Sequence, residues 1–421
     1  MLIVIIFIAT LIIGVPVMAV LGLSTVIPLQ IEGSLQPIMI AQALFSGVNS
    51  FPLIAVSGFL FAGKIMEKSG ITDGLLDFSK EAVGRLPGGY AITCIIASAF
   101  FGALTGSGPA CTAAIGSITI PLMLKGGYDK SFTSGVAAAG GSLGIMIPPS
   151  NPMVIYALVA SVSVGDMFIA GVIPGILTAV IFSLVCVIIA LKRGYHGADT
   201  KFTWKALLKA SWAAKWCLLA PIIILGSIYA GVATPTEASI IACVYALVVG
   251  FINRKLKLGD VVISLKGTAV MGGSIMAIVG ISTAFARMLT INQIPQTVAK
   301  WMTTVTSNPI LLLLMIMGVM IFVGMWMEPI SSLVILVPIF LPIVRQLGYD
   351  PIAFGILLVL TTQIAFITPP VAANLYVVSS LMKAPLQTVS KGIIPFILSI
   401  AFVCLLIIFF PTIATWLPSM M

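Results

Sequence analysis

Apolar stretches fill most of this chain, broken by short segments rich in glycine, proline or charge. Many are long enough to cross a hydrocarbon layer of roughly 30 Å, which predicts a series of membrane helices. A membrane barrel would instead alternate apolar and polar positions in segments of roughly ten residues, and that pattern is absent. Two apolar stretches are interrupted alike: "GIMIPPSNPMVIYA" at 144–157 and "AFITPPVAANLYVV" at 365–378. Each proline removes an N–H donor and disfavours helical geometry in the residue before it. An interruption of this kind is either a plain kink or a broken helix lining a cavity, the only lipid-depth setting that tolerates irregular backbone. In a broken helix, freed carbonyls suit a hard cation, and the half-helix that follows offers N–H groups to an anion.

The pattern repeats. "GGYD" ends at Asp129 and "LGYD" at Asp350, 221 residues apart, and Pro148-Pro149 and Pro369-Pro370 share that spacing. So do Pro121 and Pro342, and "VIPGIL" (172–177) and "IIPFIL" (393–398). The start matches more loosely, "IIGVPVMAVLG" (12–22) against "IYAGVATPTEAS" (228–239). The chain therefore divides into a first repeat 1–191, a basic linker 192–216 and a second repeat 217–421. Each repeat predicts two helices, a third helix, a polar arm, an apolar hairpin, a broken helix and a final helix. The arms fall at about 66–86 and 291–307, the hairpins at about 88–125 and 309–346. A matched pair of breaks, each preceded by a hairpin, favours the cavity reading over a kink.

Composition agrees with the membrane class: 60% of the 421 residues are hydrophobic and 8% charged, too few charges to cover a soluble domain. The net charge of +9 raises nucleic acid as a partner, but the placement of the bases argues against it. Lys192, Arg193, Lys201, Lys205, Lys209 and Lys215 crowd the linker with one acid, Asp199, and four more bases lie between Arg254 and Lys266. Short basic loops beside apolar runs are cytoplasmic-side signals. The first arm (Lys64, Lys68, Lys80, Arg85) outweighs the second, which holds Lys300, so the first is expected inside and the second outside. The repeats are then inverted, with both termini periplasmic. No Lys or Arg precedes Lys64, so the start reads as a mature membrane helix rather than a cleaved signal. The six cysteines lie unpaired in apolar runs, and the lone His196 sits in the linker, which disfavours disulfides, metal clusters and a histidine-based triad. No GxxxxGK[ST] phosphate loop is present to power an ATP-driven pump, and no membrane-placed catalytic constellation supports an enzyme.

Candidate chemistry concentrates at the hairpin tips. "LTGSGPAC" (104–111) offers Thr105 and Ser107 oxygens, with Gly106 and Gly108 permitting close approach. "GMWMEPISS" (324–332) offers Glu328, Ser331 and Ser332. Small residues there also suit tight helix packing. Ionisable residues within apolar spans are functional candidates: Glu237, Arg287 and Glu328. Arg287 either meets a substrate carboxylate through paired hydrogen bonds or snorkels to the interface. Glu328 pairs with Arg287, binds substrate hydroxyls or takes part in cation coupling. Glu237, in Thr-Pro-Thr-Glu, reads as a helix cap.

At "GSGPACTAAIGS", "MIPPSNPMVIYA", "GVATPTEA", "GMWMEPISS" and "FITPPVAANLYVV" the chain resembles the large membrane (M) subunit of a tripartite ATP-independent periplasmic (TRAP) transporter, along essentially its whole length and leaning to the sialic-acid type. The resemblance implies an all-α polytopic inner-membrane protein with an inverted-repeat elevator fold, related to divalent-anion/sodium symporters. It implies sodium-driven uptake of an organic acid, sialic acid first and a C4-dicarboxylate next. The implied partners are a separate small TRAP subunit and a periplasmic substrate-binding protein. A first sodium would lie among Thr105, Gly106, Ser107, Gly108, Pro149 and Asn151, and a second among Gly324, Met327, Thr368, Pro369 and Ala372. Substrate would meet Ser107, Ser150, Arg287, Glu328 and Asn374. The alternative is a one-component sodium/carboxylate symporter of the same architecture, working without a binding protein.

Overall fold

The computed structural model describes residues 2–32, 36–198 and 203–421, so Asp199 and Lys201 of the linker lie outside the described residues. All its described elements are helical. The N-terminal half runs α1 (Leu2–Ile12), α2 (Val17–Glu32), α3 (Ile38–Val48), α4 (Phe51–Lys68), α5 (Leu75–Val83), α6 (Gly89–Thr105), α7 (Gly108–Lys125), α8 (Lys130–Ser142), α9 (Asn151–Ala160) and α10 (Val164–Arg193). After the linker come α11 (Trp204–Ala213), α12 (Lys215–Tyr229), α13 (Pro235–Ile252), α14 (Leu258–Ile291), α15 (Ile294–Val305), α16 (Pro309–Gly324), α17 (Pro329–Gln346), α18 (Pro351–Phe366), α19 (Ala373–Met382), α20 (Leu386–Lys391), α21 (Ile394–Phe409) and α22 (Thr412–Thr415). Among the described residues, four helices are long and apolar enough to span a membrane, and six if each of two bent pairs counts as one span. Of the hairpin and broken-helix segments, α6, α9, α16, α18 and α19 are shorter apolar helices, whereas α17 of the second hairpin is one of the four long ones.

The local chemistry behind the 221-residue spacing is visible. Gly127 (φ +81°) and Gly348 (φ +69°) adopt the left-handed geometry that glycine tolerates, ending α7 and α17. The next aspartates begin the following helices: Asp129 accepts from the Phe132 N–H at 2.9 Å, and Asp350 from the Ile352 N–H at 2.7 Å. Pro148-Pro149 and Pro369-Pro370 each contain a cis peptide bond. The third helix differs between the halves. The second half has one continuous helix, α14, of 34 residues. In the first half the chain bends by 50° between α3 and α4, at Asn49–Ser50. Pro52 stands in the first turn of α4, where a missing N–H is harmless, and so favours a new helix start there.

The halves interlock. α9 packs on α17, and α19 packs on α7 and α8. The buried Gln363 amide donates to the Ser142 hydroxyl at 2.9 Å, joining two positions that are themselves 221 residues apart. α4 lies along α13 and α14, and α14 also packs on α2 and α3. Small residues permit these approaches: a Cβ on Gly58 would come 2.3 Å from Ser239 Oγ, and one on Gly47 would come 2.4 Å from Thr283 Oγ1.

Three basic segments meet at one end of the molecule. The Ala198 N–H donates to the Gly84 carbonyl at 2.7 Å, and Arg193 pairs with Asp129. Lys68 pairs with Asp260 at 3.1 Å, Lys255 with Asp73, and the Asn253 amide donates to the Ser69 carbonyl at 3.2 Å. The start of the linker, the 253–260 segment and the first arm therefore share a face, the one that the sequence expectation places on the cytoplasmic side. Five of the six cysteines are buried and Cys243 is half-buried, so replacing Cys243 leaves a nearly silent background. On that background Ala198→Cys is expected to resist membrane-impermeant thiol reagents on intact cells and to react in inverted vesicles. Ready labelling from outside would reverse the orientation.

Candidate functional site

The first hairpin turns between α6 and α7. Gly106 closes α6 in left-handed geometry (φ +59°), and Ser107 is extended (φ −134°) at the N-cap of α7 without using its side chain as a cap. The turn presses on the first break. A Cβ at Gly106 would come 2.9 Å from the Pro149 carbonyl oxygen, and the Asn151 amide donates to the Gly106 carbonyl at 3.4 Å. Asn151 is buried, and its Oδ1 has no hydrogen-bond partner. A buried polar atom left this way costs about 1–3 kcal/mol, so its presence points to a missing partner. The Ser150 hydroxyl is turned inward and donates to the Ile145 carbonyl. Thr105 is buried, and its hydroxyl donates to the Phe101 carbonyl at 3.3 Å.

Asn374 arrives at this tip from the other half, on α19. Fully buried, it donates to the Ala138 carbonyl at 3.1 Å. Its unpartnered Oδ1 would lie 3.1 Å from a Cβ on Gly108. Thr105, Gly106, Ser107, Gly108, Pro149, Ser150, Asn151 and Asn374 thus gather in one region. Backbone carbonyls with a spare amide oxygen are the ligand type that a hard cation takes. Sodium fits this donor set.

The second tip meets the second break through main chain. The Val371 N–H donates to the Met325 carbonyl at 3.1 Å, and a Cβ on Gly324 would come 2.8 Å from the Ala365 Cβ. Met327 and Ala372 are buried, with Ala372 at φ +30° two residues after Pro370. The Thr368 hydroxyl donates to the Ile364 carbonyl at 2.7 Å. Among the described residues, no buried side-chain oxygen at this tip lacks a partner. Main-chain oxygens are the donors on offer here.

Two cavities lie along the hairpins, and one of them borders the first tip. The first, about 500 Å³, lies between α4, α14 and the first hairpin, with Thr105, Ser107, Ala110 and Ala114 on one wall and Lys64, Glu67 and Met271 opposite. The second, about 430 Å³, lies at the α3–α4 bend and is lined by Ser46, Asn49, Ser50, Ser161, Ser282 and Thr283. Both have the size of a small-molecule site. Ser107 lines the first. Arg287 and Glu328 line neither: Arg287 faces a crevice of about 10 Å³ beside Leu29, Met39 and Ile40, with room for no more than a water. Glu328 caps α17, its carboxylate accepting from the Ser331 N–H at 3.2 Å. The sequence reasoning did not select Lys64 and Glu67. Their one signal was that two ionisable residues close an otherwise apolar run.

Comparison with known proteins identifies the group to which this architecture belongs. Residues 4–413 match the family described as the tripartite ATP-independent periplasmic transporter, DctM component. The large C4-dicarboxylate TRAP permease of Pseudomonas aeruginosa is 38% identical over 90% of this chain and 89% of its own. The isethionate TRAP permease DctMQ of Oleidesulfovibrio alaskensis is 40% identical over 96% of this chain, which spans 64% of that longer protein. The sialic-acid permease SiaM of Vibrio cholerae is 34% identical over 90% of this chain and 89% of its own. Among solved structures, the YdaH transporter of Alcanivorax borkumensis superposes with a TM-score of 0.67 at 15% identity, covering 100% of this chain and 99% of that one. Neisseria gonorrhoeae MtrF gives 0.64 at 15% identity over 88% and 83%. These two likenesses concern the fold alone. Family match and full-length relatives together lead to one statement: this chain belongs to the DctM component of the tripartite ATP-independent periplasmic transporters.

Proposed function

We propose that this inner-membrane TRAP permease, a transport subunit and not an enzyme, uses inward sodium flow to import a small organic acid. A periplasmic binding protein delivers the acid, and a small membrane subunit on a separate chain completes the complex. The observation that carries the sodium part is the tip–break junction, where Gly106 rests on Pro149 and the buried Asn151 Oδ1 lacks a partner. Sodium entering there supplies the missing contact and draws the hairpin onto the broken helix. One larger cavity lies where the first hairpin faces α4 and α14, and the other where α9 and α17 face α3 and α14. This arrangement supports an elevator mechanism in which inverted repeats carry the tips and breaks as one block past a scaffold of α4, α13 and α14.

Related permeases carry names for isethionate, C4-dicarboxylate, sialic acid and ectoine. Sialic acid, first in line from the sequence resemblance, is thus one of several substrates among the relatives, and the permeases named for isethionate and C4-dicarboxylate are more similar to this chain. The test is uptake of isethionate, succinate and sialic acid into proteoliposomes holding both membrane subunits, with and without the binding protein. Sodium-dependent uptake of at least one acid, only with binding protein present, is expected. Equal uptake without it would support a one-component symporter.

A further inference from the structure

We propose that Lys64 anchors the acid group of the substrate in the cavity beside the first hairpin tip, and that Glu67 restricts the site to molecules with one acid group. This inference rests on the transport reading above and specifies its substrate class. Lys64 is half-buried on α4 and makes no hydrogen bond or ion pair among the described residues, whereas Lys68, one turn on, is committed to Asp260 at 3.1 Å. Glu67 acts on this ammonium only through space, with no direct ion pair, so its N–H donors stay open to an anion that enters the cavity. Helix α14 leaves room for it at Gly267, where a Cβ would come 2.4 Å from Lys64 Nζ.

Across the cavity, the Ser107 hydroxyl is not used as a cap, and the N-terminus of α7 presents its positive end. Ammonium, hydroxyl and helix terminus all complement a single carboxylate or sulfonate. Glu67 lines the same cavity three residues along α4, a spacing that puts the two side chains on one helix face roughly 5–6 Å apart. Its carboxylate repels a second acid group and accepts from a hydroxyl. The favoured substrate is therefore a small monoanion carrying a hydroxyl rather than a dianion. Because α4 belongs to the proposed scaffold and Ser107 to the moving block, Lys64 meets the anion only in the state with this tip beside α4.

The experiment measures sodium-driven uptake of isethionate, with succinate as competitor, in proteoliposomes of the complete system. Lys64→Met is expected to raise the half-saturating isethionate concentration by about 10-fold or more, the size of one lost charge-assisted hydrogen bond. Lys64→Arg should stay within about threefold of the original protein, since the charge remains. Lys64→Cys should show the same rise as Lys64→Met and lose it on treatment with an aminoethyl thiosulfonate reagent, but not with its sulfonate counterpart, which separates charge from folding. Glu67→Gln is expected to make succinate the stronger competitor. Wild-type half-saturation in Lys64→Met, with uptake intact, would overturn the anchor while leaving the transport reading in place. Unchanged succinate competition in Glu67→Gln would overturn the restriction to one acid group. No uptake of isethionate, succinate or sialic acid by the unaltered complex would overturn both the inference and the reading beneath it.

Discussion

Gly106→Val is expected to cut uptake to less than about a tenth while the protein still folds and inserts. Two effects act at this position. Its left-handed φ of +59° is one that a β-branched residue rarely adopts, a strain of about 1–3 kcal/mol. A Cβ would also come 2.9 Å from the Pro149 carbonyl oxygen, which belongs to the backbone and cannot swing aside as a side chain would. Relief comes most easily by moving the tip off the break. That separates Gly106 from Asn151 and dismantles the proposed cation site. The helices α6 and α7 pack along their length, so the damage stays local. Gly318→Ala is the matched control, because nothing lies within 4 Å of its added methyl and its backbone is helical. The control should transport normally. Uptake by Gly106→Val near that of the control, at matched membrane levels, would remove the tip–break junction from the mechanism.

Much of this architecture was legible because its signals are local. The Thr-Pro-Thr-Glu cap forms as read: the Thr234 hydroxyl accepts from the Glu237 N–H at 3.3 Å, and the Glu237 carboxylate accepts from the Thr234 N–H at 2.8 Å. Likewise, Gly-Tyr-Asp ends one helix and caps the next at both occurrences, since left-handed glycine and N-cap aspartate are local chemistry. The pairing of each tip with its break was implied by the family resemblance, and the Gly106–Pro149 approach and the Val371–Met325 hydrogen bond bring those segments together. Lys64 was missed for a different reason. It closes the apolar run that begins at Phe51, and such a lysine normally marks where a helix leaves the membrane. Only the tertiary packing of α4 beside the first hairpin and α14 puts Lys64 on the wall of a cavity. Arg287 shows the converse. An arginine in an apolar span invites a binding role, yet α14 is apolar on all sides, so nothing in its sequence fixes which face turns to the hairpins. The structure turns Arg287 toward Leu29 and Met39.

Sodium removal is expected to have the other large effect, and to be all-or-none. Each junction presents mainly main-chain carbonyls, and the first adds the spare oxygen of Asn151. A proton carrier would need a side chain titrating at the site. None of the first junction's donors ionises, for Thr105, Gly106, Pro149 and Asn151 are all neutral. A large organic cation such as choline lacks the compact charge that short oxygen contacts require. Carrying an acid through an apolar interior also calls for compensating positive charge. The decisive measurement is therefore uptake by the reconstituted complex, with its binding protein, as external sodium is replaced by choline at constant ionic strength and a fixed proton gradient. The account predicts that uptake falls to background without sodium and returns on its addition. Undiminished uptake in choline, driven by the proton gradient alone, would contradict it.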